Sequence, residues 1–200
     1  MTFSPDSLVA NGADSTTVDP SDPTATDSLF WRPTALTQSY EPGSTGKVPT
    51  FATALEAGGV EPTDAYEVPN KQEFDGQIIN DSMPHDTYEM TTAGIFTRSY
   101  NTGTVQVAQS VDDQTRYEYM KKLGIGEHVD IGLPGSNKGI LVPPEQWDGR
   151  QRLTTMFGQG YTQTTLHMAQ VFQTIANGGV QRHPQLIDAY IDPDGSEHVQ

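Results

Sequence analysis

Apolar residues recur every three or four positions over much of the chain after residue 30, which is the spacing of helices that bury one face. The clearest stripe predicts a helix that ends at Asn177-Gly178-Gly179, with core positions at Leu166, Met168, Ala169, Phe172, Ile175 and Ala176. Similar spacing predicts helices over four other stretches, namely Phe51 to Leu55, Tyr88 to Phe96, Val105 to Val111 and Val111 to Leu123. The chain after residue 30 is therefore expected to be mostly helical.

Strand signals are fewer and shorter. Leu186 to Ile191 predicts a strand, and Asp192-Pro193-Asp194-Gly195 predicts a turn after it, which together favour a hairpin near residue 200. Residues 74 to 80 favour one further short strand. Several helices with few strands indicate an α+β fold class.

The most informative chemistry lies in residues 40 to 47, which read Tyr-Glu-Pro-Gly-Ser-Thr-Gly-Lys. Ser44 and Lys47 are expected in the first turn of a helix, where positions i and i+3 share a face. An amine within reach of a hydroxyl suits an activated nucleophile, and free backbone N–H groups of that turn favour negative charge. This combination predicts acyl transfer. With 12 serines and 5 lysines in 200 residues, chance alone supplies about 0.3 occurrences of a serine three positions before a lysine. The residues around Ser44 and Lys47 therefore decide the interpretation.

The surrounding residues resemble a known family. Glu-Pro-Gly-Ser-Thr-x-Lys, at residues 41 to 47, resembles the active-site segment of penicillin-binding proteins, especially the class B, monofunctional D,D-transpeptidases. Gly132 to Gly135 is similar to the glycine-proline loop of that family. Residues 157 to 179 are similar to the segment that precedes its Lys-Thr-Gly strand. The resemblance runs from about Trp31 to the end of the chain.

The second family element corresponds to Ser99-Tyr100-Asn101, between two predicted helices with Gly103 at their joint. A hydroxyl and an amide on a short connection between helices are able to project into a cleft. Ser-x-Asn is also common by chance, and the alternative is a turn serine followed by an asparagine cap. The resemblance implies that Ser99 passes a proton to the leaving nitrogen and that Asn101 orients the bound peptide or lactam.

The third family element, Lys-Thr-Gly or Lys-Ser-Gly, does not occur in the 200 residues. We therefore expect residues 31–200 to be a partial transpeptidase domain, truncated before that strand. It would comprise mainly the helical lobe of the penicillin-binding transpeptidase/β-lactamase-like fold, with few strands. Residues 1–30 contain ten Ser or Thr, five Asp and three Pro without a basic residue, which predicts a flexible loop or tail.

The resemblance implies a peptidoglycan D,D-transpeptidase that cross-links stem peptides through an acyl-serine intermediate and binds β-lactams. Ser44 would be the nucleophile and Lys47, as a neutral amine, its base. Gly46 stands where the family usually has a bulky apolar residue, and a helical glycine is expected to loosen this turn. The isolated fragment is expected to be inactive, because the absent strand carries half of the family's oxyanion hole.

Two alternative functions stay open. One is a β-lactamase or β-lactam sensor, which would be expected to lack the segment at residues 157–179. The other is a degenerate transpeptidase domain that acts as a non-catalytic scaffold in cell-wall synthesis. The absence of Lys-Thr-Gly from the sequence leaves this second alternative in place.

Charge and composition limit the classes of molecule that the protein is expected to bind. A formal net charge of −15 disfavours nucleic acid and anionic membrane surfaces. The chain has no cysteine and its five histidines show no metal-ligand spacing, so neither metal nor cofactor is predicted. The resemblance implies stem peptides, β-lactams and cell-wall synthesis proteins as partners, at the extracytoplasmic face of the bacterial membrane with an anchor upstream. An uncovered apolar face of the truncated lobe would also favour self-association.

Overall fold

A computed structural model describes residues 33–132 and 135–199, which form an α+β fold. The interpretation of residues 1–30 as a flexible tail lies outside the described residues. Across these ranges the α-helices are α1 Thr34–Thr37, α2 Lys47–Ala57, α3 Thr92–Arg98, α4 Asn101–Ala108, α5 Asp113–Lys122, α6 Gly149–Thr154 and α7 Thr165–Ala176. Short 3₁₀ helices cover Gly43–Gly46, Pro144–Gln146 and Thr155–Phe157. Of the helices in these ranges, none has the length and apolarity needed to cross a membrane.

The strands are short and form antiparallel pairs. In chain order they are β1 Ser39–Tyr40, β2 Ala65–Val68, β3 Lys71–Phe74, β4 Gln77–Asn80, β5 Tyr88–Thr91, β6 Gln163–Thr164, β7 Ala189–Ile191 and β8 Glu197–Val199. β1 pairs with β6, β2 with β5, β3 with β4 and β7 with β8. Most of the buried apolar side chains lie on helices and not on these strands.

Helix α4 is buried on two sides, which fixes it relative to α2. Val107 packs in one apolar cluster with Phe51 of α2, while Val105 packs in a second cluster with Met156. Burial of one such side chain stabilises a fold by about 1.5–3 kcal/mol. The first residues of α2 and α4 therefore keep a defined separation, and both helices begin at predicted site residues.

Gly103 lies inside α4, so the prediction that it marks the joint between two helices is wrong. A Cβ at this position would lie 2.7 Å from Cγ2 of Ile95, so the glycine allows α3 and α4 to approach closely. The joint itself is Ser99-Tyr100, and Ser99 takes the left-handed conformation with φ 59°. The two helices therefore meet at a predicted site residue.

The predicted helix from Tyr88 to Phe96 is wrong in its first half. β5 covers Tyr88–Thr91 and pairs along its whole length with β2. α3 begins only at Thr92, where the Thr91 hydroxyl accepts a hydrogen bond of 3.1 Å from the Gly94 N–H. Aromatic and β-branched residues fit a strand, and the N-cap threonine separates it from the helix.

Residues 71–80 form a complete hairpin, where the sequence predicted a single short strand over residues 74 to 80. Asp75 and Gly76 connect β3 to β4 with positive φ values of 50° and 77°. Two such residues are typical of a type I′ turn, for which Asp-Gly is a preferred sequence, so a signal for the hairpin was present. The hairpin predicted near residue 200 is confirmed as β7 and β8, although its first strand begins at Ala189 and not at Leu186.

Helix α7 is confirmed, but its predicted core stripe is wrong at several positions. Phe172 and Ile175 are exposed, at 45% and 39% of their surface. Ala169 and Ala176 are exposed as well. The side chains that α7 buries are those of His167, Met168, Val171 and Thr174. Because two of these four are polar, a count of apolar residues alone assigns the wrong face.

His167 is a buried capping residue of α7. Its Nδ1 accepts a hydrogen bond of 3.1 Å from the Thr164 N–H, and its Nε2 lies 2.6 Å from the Glu127 carbonyl oxygen. Burial lowers the pKa of His167, which favours the neutral ring that this pattern requires.

Candidate active site

The turn that carries the predicted nucleophile is the 3₁₀ helix Gly43–Gly46, which runs directly into α2. Side chains at i and i+3 eclipse in a 3₁₀ helix, so Ser44 and Lys47 lie on the same side. Ser44 is exposed, whereas Lys47 is 1% exposed. The turn therefore presents a surface hydroxyl on the side of a buried amine.

The Gly-Gln-Gly segment at residues 158–160 packs directly on this turn. The Gly43 N–H donates a hydrogen bond of 2.7 Å to the Gly158 carbonyl oxygen. A Cβ at Gly46 would lie 2.6 Å from both the Gly158 Cα and the Tyr161 hydroxyl oxygen. Backbones approach this closely only where a side chain is absent. Gly46 therefore permits tight packing of the nucleophile turn, contrary to the expectation that it loosens the turn.

Glu41, the first residue of the resemblance motif, joins the same contact. Its Oε1 accepts a hydrogen bond of 2.7 Å from the Gly160 N–H, and Gln151 donates one of 2.7 Å to the Gly160 carbonyl oxygen. Two segments distant in sequence are thus joined by a backbone hydrogen bond from Gly43 to Gly158 and by the Glu41 side chain, which bonds to a residue 119 positions away. This contact fixes the entrance to the nucleophile turn.

The Lys47 amine is hydrogen-bonded to the Ser-x-Asn element. Its Nζ donates to the Ser99 carbonyl oxygen and to the Ser99 Oγ, the latter at 3.0 Å. Both of these contacts are to Ser99, and neither is to the Ser44 hydroxyl. Burial lowers the pKa of Lys47 from 10.5 to about 8, against the attraction of the Asp81 carboxylate, which raises it. A neutral amine that accepts a proton is therefore accessible near neutral pH.

Asn101 completes the set of predicted residues. It begins α4, and its Nδ2 donates a hydrogen bond of 3.2 Å to the Asn80 carbonyl oxygen. A cleft of about 260 Å³ is lined by Ser44 and Asn101 together with Gly43, Ile79, Asn80, Ser82, Arg150, Phe157 and Gln159. The fold thus brings Ser44, Lys47, Ser99 and Asn101 into one neighbourhood. Their catalytic roles stay a prediction.

Sequence reasoning missed four polar residues at this site. Asn80, Ser82 and Arg150 line the cleft, and Asp81 bonds to the backbone at the start of α4. No local motif marks them, because β4 and α6 bring them to the site through tertiary packing. In the described part of the chain, no three His, Asp or Glu side chains cluster closely enough to hold a metal ion.

Comparison with known proteins agrees with the site. The family model described as the penicillin binding protein transpeptidase domain matches residues 9–200. The chain is 38% identical over 162 residues to penicillin-binding protein PbpB of Mycolicibacterium smegmatis, covering 81% of the chain and 25% of the relative. It is 28% identical over 171 residues to the peptidoglycan D,D-transpeptidase FtsI of Escherichia coli K12, covering 85% and 28%.

Solved structures give the same result. A peptidoglycan synthetase from Bifidobacterium adolescentis superposes with a TM-score of 0.81 at 34% identity, over 94% of the chain and 34% of that structure. Penicillin binding protein 3 from Mycobacterium tuberculosis, complexed with aztreonam, gives 0.77 at 34% identity, over 84% and 37%. The chain spans about a quarter of the length of the curated relatives. Because the family model matches nearly the whole chain and both motifs meet at one cleft, the chain belongs to the penicillin-binding protein transpeptidase domain family, in its class B type.

Proposed function

We propose that the protein containing this chain is a peptidoglycan D,D-transpeptidase that cross-links stem peptides through an acyl-serine intermediate. The observation that carries the proposal is the buried Lys47 amine, which is bonded to the Ser99 hydroxyl and lies on the same side as Ser44. A buried amine with a lowered pKa is the base that a serine nucleophile needs. The names of the relatives, including FtsI as a peptidoglycan D,D-transpeptidase, support the same reaction.

In the acylation step, the Ser44 Oγ attacks the carbonyl carbon between the two D-alanines of a stem peptide. Its proton passes to the neutral Lys47 amine as the new O–C bond forms. The Ser44 N–H lies in the first turn of a helical segment and has no partner inside that turn. It is therefore suited to donate to the oxyanion of the tetrahedral intermediate.

Collapse of that intermediate breaks the C–N bond and releases the terminal D-alanine. The proton held by Lys47 reaches the leaving nitrogen through the Ser99 hydroxyl, which the 3.0 Å contact already joins to the amine. The amine of a second stem peptide then attacks the ester, and its proton returns to the Ser44 oxygen. Asn101, at the edge of the cleft, orients the peptide through its side-chain amide.

The same proposal covers inhibitors, partners and location. β-Lactams would acylate Ser44, and structures similar to this chain have been solved with aztreonam and ampicillin. The substrate is a cell-wall peptide, so the site would work at the extracytoplasmic face of the bacterial membrane, with other cell-wall synthesis proteins as partners. The proposal also includes a membrane anchor upstream of this chain in the full-length protein, as the family resemblance implies.

The test uses the full-length protein, a donor peptide ending in D-Ala-D-Ala and an acceptor amine. Mass spectrometry should detect released D-alanine and a new amide, both lost in Ser44→Ala and kept in Ser39→Ala, a nearby matched serine. Absence of any product from the folded protein would favour the non-catalytic scaffold. Rapid turnover of β-lactam without a cross-linked product would favour a β-lactamase.

A further inference from the structure

A buried carboxylate stands at the end of β4, directly after Asn80. Asp81 is 6% exposed. Its Oδ1 accepts hydrogen bonds from the backbone N–H groups of Asn101 and Thr102, the latter at 3.3 Å. Its Oδ2 accepts from the Thr102 hydroxyl at 2.9 Å. The carboxylate therefore binds the first turn of α4, which begins with a predicted site residue.

These contacts replace a cap that α4 does not supply itself. Tyr100 is the N-cap residue of α4, and its side chain makes no capping hydrogen bond. The first N–H groups of a helix need acceptors and carry partial positive charge, so a carboxylate there is favourable. Asp81 provides both the acceptor and the charge from a different element. Loss of its contacts would leave the start of α4 without its cap.

His85 is the counter-charge of Asp81. Its Nε2 lies 2.9 Å from the Asp81 Oδ2 and its Nδ1 lies 2.6 Å from the Asp86 carbonyl oxygen. Both ring nitrogens face acceptors, and only the imidazolium donates from both. Burial lowers the pKa of His85. The hydrogen bonds and charges of Asp81 and Asp86 raise it by a larger amount, so the net shift of the pKa is upward.

Two tyrosine rings stack with the His85 ring. Tyr100 stacks on it with centroids 4.1 Å apart, and Tyr88 stacks on it at 5.5 Å. Aromatic faces stabilise a cation, which agrees with a protonated ring. Tyr100 is also the middle residue of the Ser-x-Asn element. The His85 ring therefore contacts this element directly and contacts its capping carboxylate at the same time.

We propose that Asp81 is a positioning residue for the acyl-transfer site, which holds the Ser99-Tyr100-Asn101 joint in place and sets the electrostatic environment of Lys47, with His85 as its counter-charge. The assignment rests on the proposed function only in naming Lys47 as the base. Asp81 fixes the start of α4, and Ser99 precedes that start by two residues, so the Ser99 carbonyl and hydroxyl stay directed at Lys47. Its negative charge also favours the protonated form of Lys47.

The charge of Asp81 opposes the effect of burial on Lys47. Burial favours the neutral amine, whereas the Asp81 carboxylate favours the protonated one, so the two together set the pKa of the proposed base. The facing charged groups are Asp81 for Lys47, and Asp81 with Asp86 for His85. As His85 loses its proton, the Asp81 charge is no longer compensated and acts more strongly on Lys47.

The test is to titrate Lys47 in the full-length protein labelled with ¹³C at lysine Cε and aspartate Cγ. Lys47→Arg identifies the Lys47 signal. Asp81→Asn keeps an acceptor oxygen for the α4 N–H groups but removes the charge, so the Lys47 midpoint should fall by about one pH unit. This shift is independent of acylation, so its failure is distinct from failure of the proposed function.

The matched control is Asp112→Asn. Asp112 caps α5 with the same type of contacts, from the Thr115 N–H at 2.9 Å and the Thr115 hydroxyl at 2.7 Å. The pKa of Lys47 is shifted by burial and by Asp81, and not by Asp112. The midpoint of the Lys47 titration should therefore stay unchanged in Asp112→Asn. An unchanged midpoint in a folded Asp81→Asn protein would overturn the proposal, as would equal shifts in both variants.

A measurement on the unsubstituted protein covers the case in which Asp81→Asn does not fold. The Asp81 Cγ signal should show a step at the midpoint of the Lys47 titration, because the carboxylate senses the loss of the neighbouring positive charge. The Asp112 Cγ signal should show no step at that pH. An Asp81 signal that stays flat through the Lys47 titration would contradict the proposal.

Discussion

The Nζ of Lys47 lies 3.0 Å from the Oγ of Ser99, a residue 52 positions further along the chain. This contact joins the start of α2 to the joint between α3 and α4. The amine also donates to the Ser99 carbonyl oxygen, so both of its described partners belong to one residue. The proposed base and the proposed proton carrier are therefore connected before any substrate binds.

Burial of Lys47 predicts a specific dependence of stability on pH. Its pKa is about 8 in the fold and 10.5 when unperturbed, so the unfolded chain binds more protons between these values. The free energy of unfolding should therefore rise with pH across this window, by up to about 3 kcal/mol. Urea unfolding between pH 7.5 and 10.5 should show this rise in the wild type and in the exposed-site control Lys71→Met. Lys47→Met should show no such rise in the free energy of unfolding. An identical rise in that variant would contradict the assignment of the pH dependence to the buried Lys47 amine.

Gly46→Ala should destabilise the protein by about 1–3 kcal/mol, because the added methyl group would collide with Gly158 and Tyr161. Urea unfolding measures the loss directly. Gly149→Ala is the control, because no atom lies within 4 Å of its added Cβ, and its effect should stay within about 1 kcal/mol. Equal stabilities of the Gly46→Ala protein and the wild type would show that the turn is not tightly packed.

The four predicted site residues could be found from the sequence because they belong to two short local motifs. Their approach to each other depends on α2 and α4 sharing a core. The apolar spacing predicted the two helices but not the contact between them. Asp81 could not be found in this way, since its function depends on contacts between β4 and α4. The buried face of α7 was assigned wrongly because His167 and Thr174 are buried with their hydrogen bonds made, and apolar spacing ignores such residues.

An exposed apolar groove predicts self-association of the 200-residue chain. Leu55, Phe96 and Ile175 line a cavity of about 270 Å³ and are 44%, 44% and 39% exposed. Burial of such a surface against a second copy would remove it from water. Sedimentation velocity should show association that increases with concentration, and Phe96→Gln with Ile175→Gln should weaken it. Leu186→Gln, which changes a 62% exposed residue outside the groove, should leave it unchanged. A chain that is monomeric at all concentrations contradicts this prediction.

The 200-residue chain alone should react with a fluorescent penicillin at least about 10²-fold more slowly than the full-length protein. The sequence contains no Lys-Thr-Gly or Lys-Ser-Gly, and loss of one oxyanion donor typically costs about 10²–10³ in rate. Labelling rates of the two proteins, each with its Ser44→Ala control, give the comparison. Equal rates would mean that these residues already form a complete site.

Ser44 should be the sole acylated residue, which mass spectrometry of the full-length protein after penicillin treatment measures without any need for turnover. We expect a single adduct that maps to the peptide containing Ser44. The adduct should disappear in Ser44→Ala and remain in Ser39→Ala. An adduct on any other residue, or one that persists in Ser44→Ala, would contradict the assignment of the nucleophile.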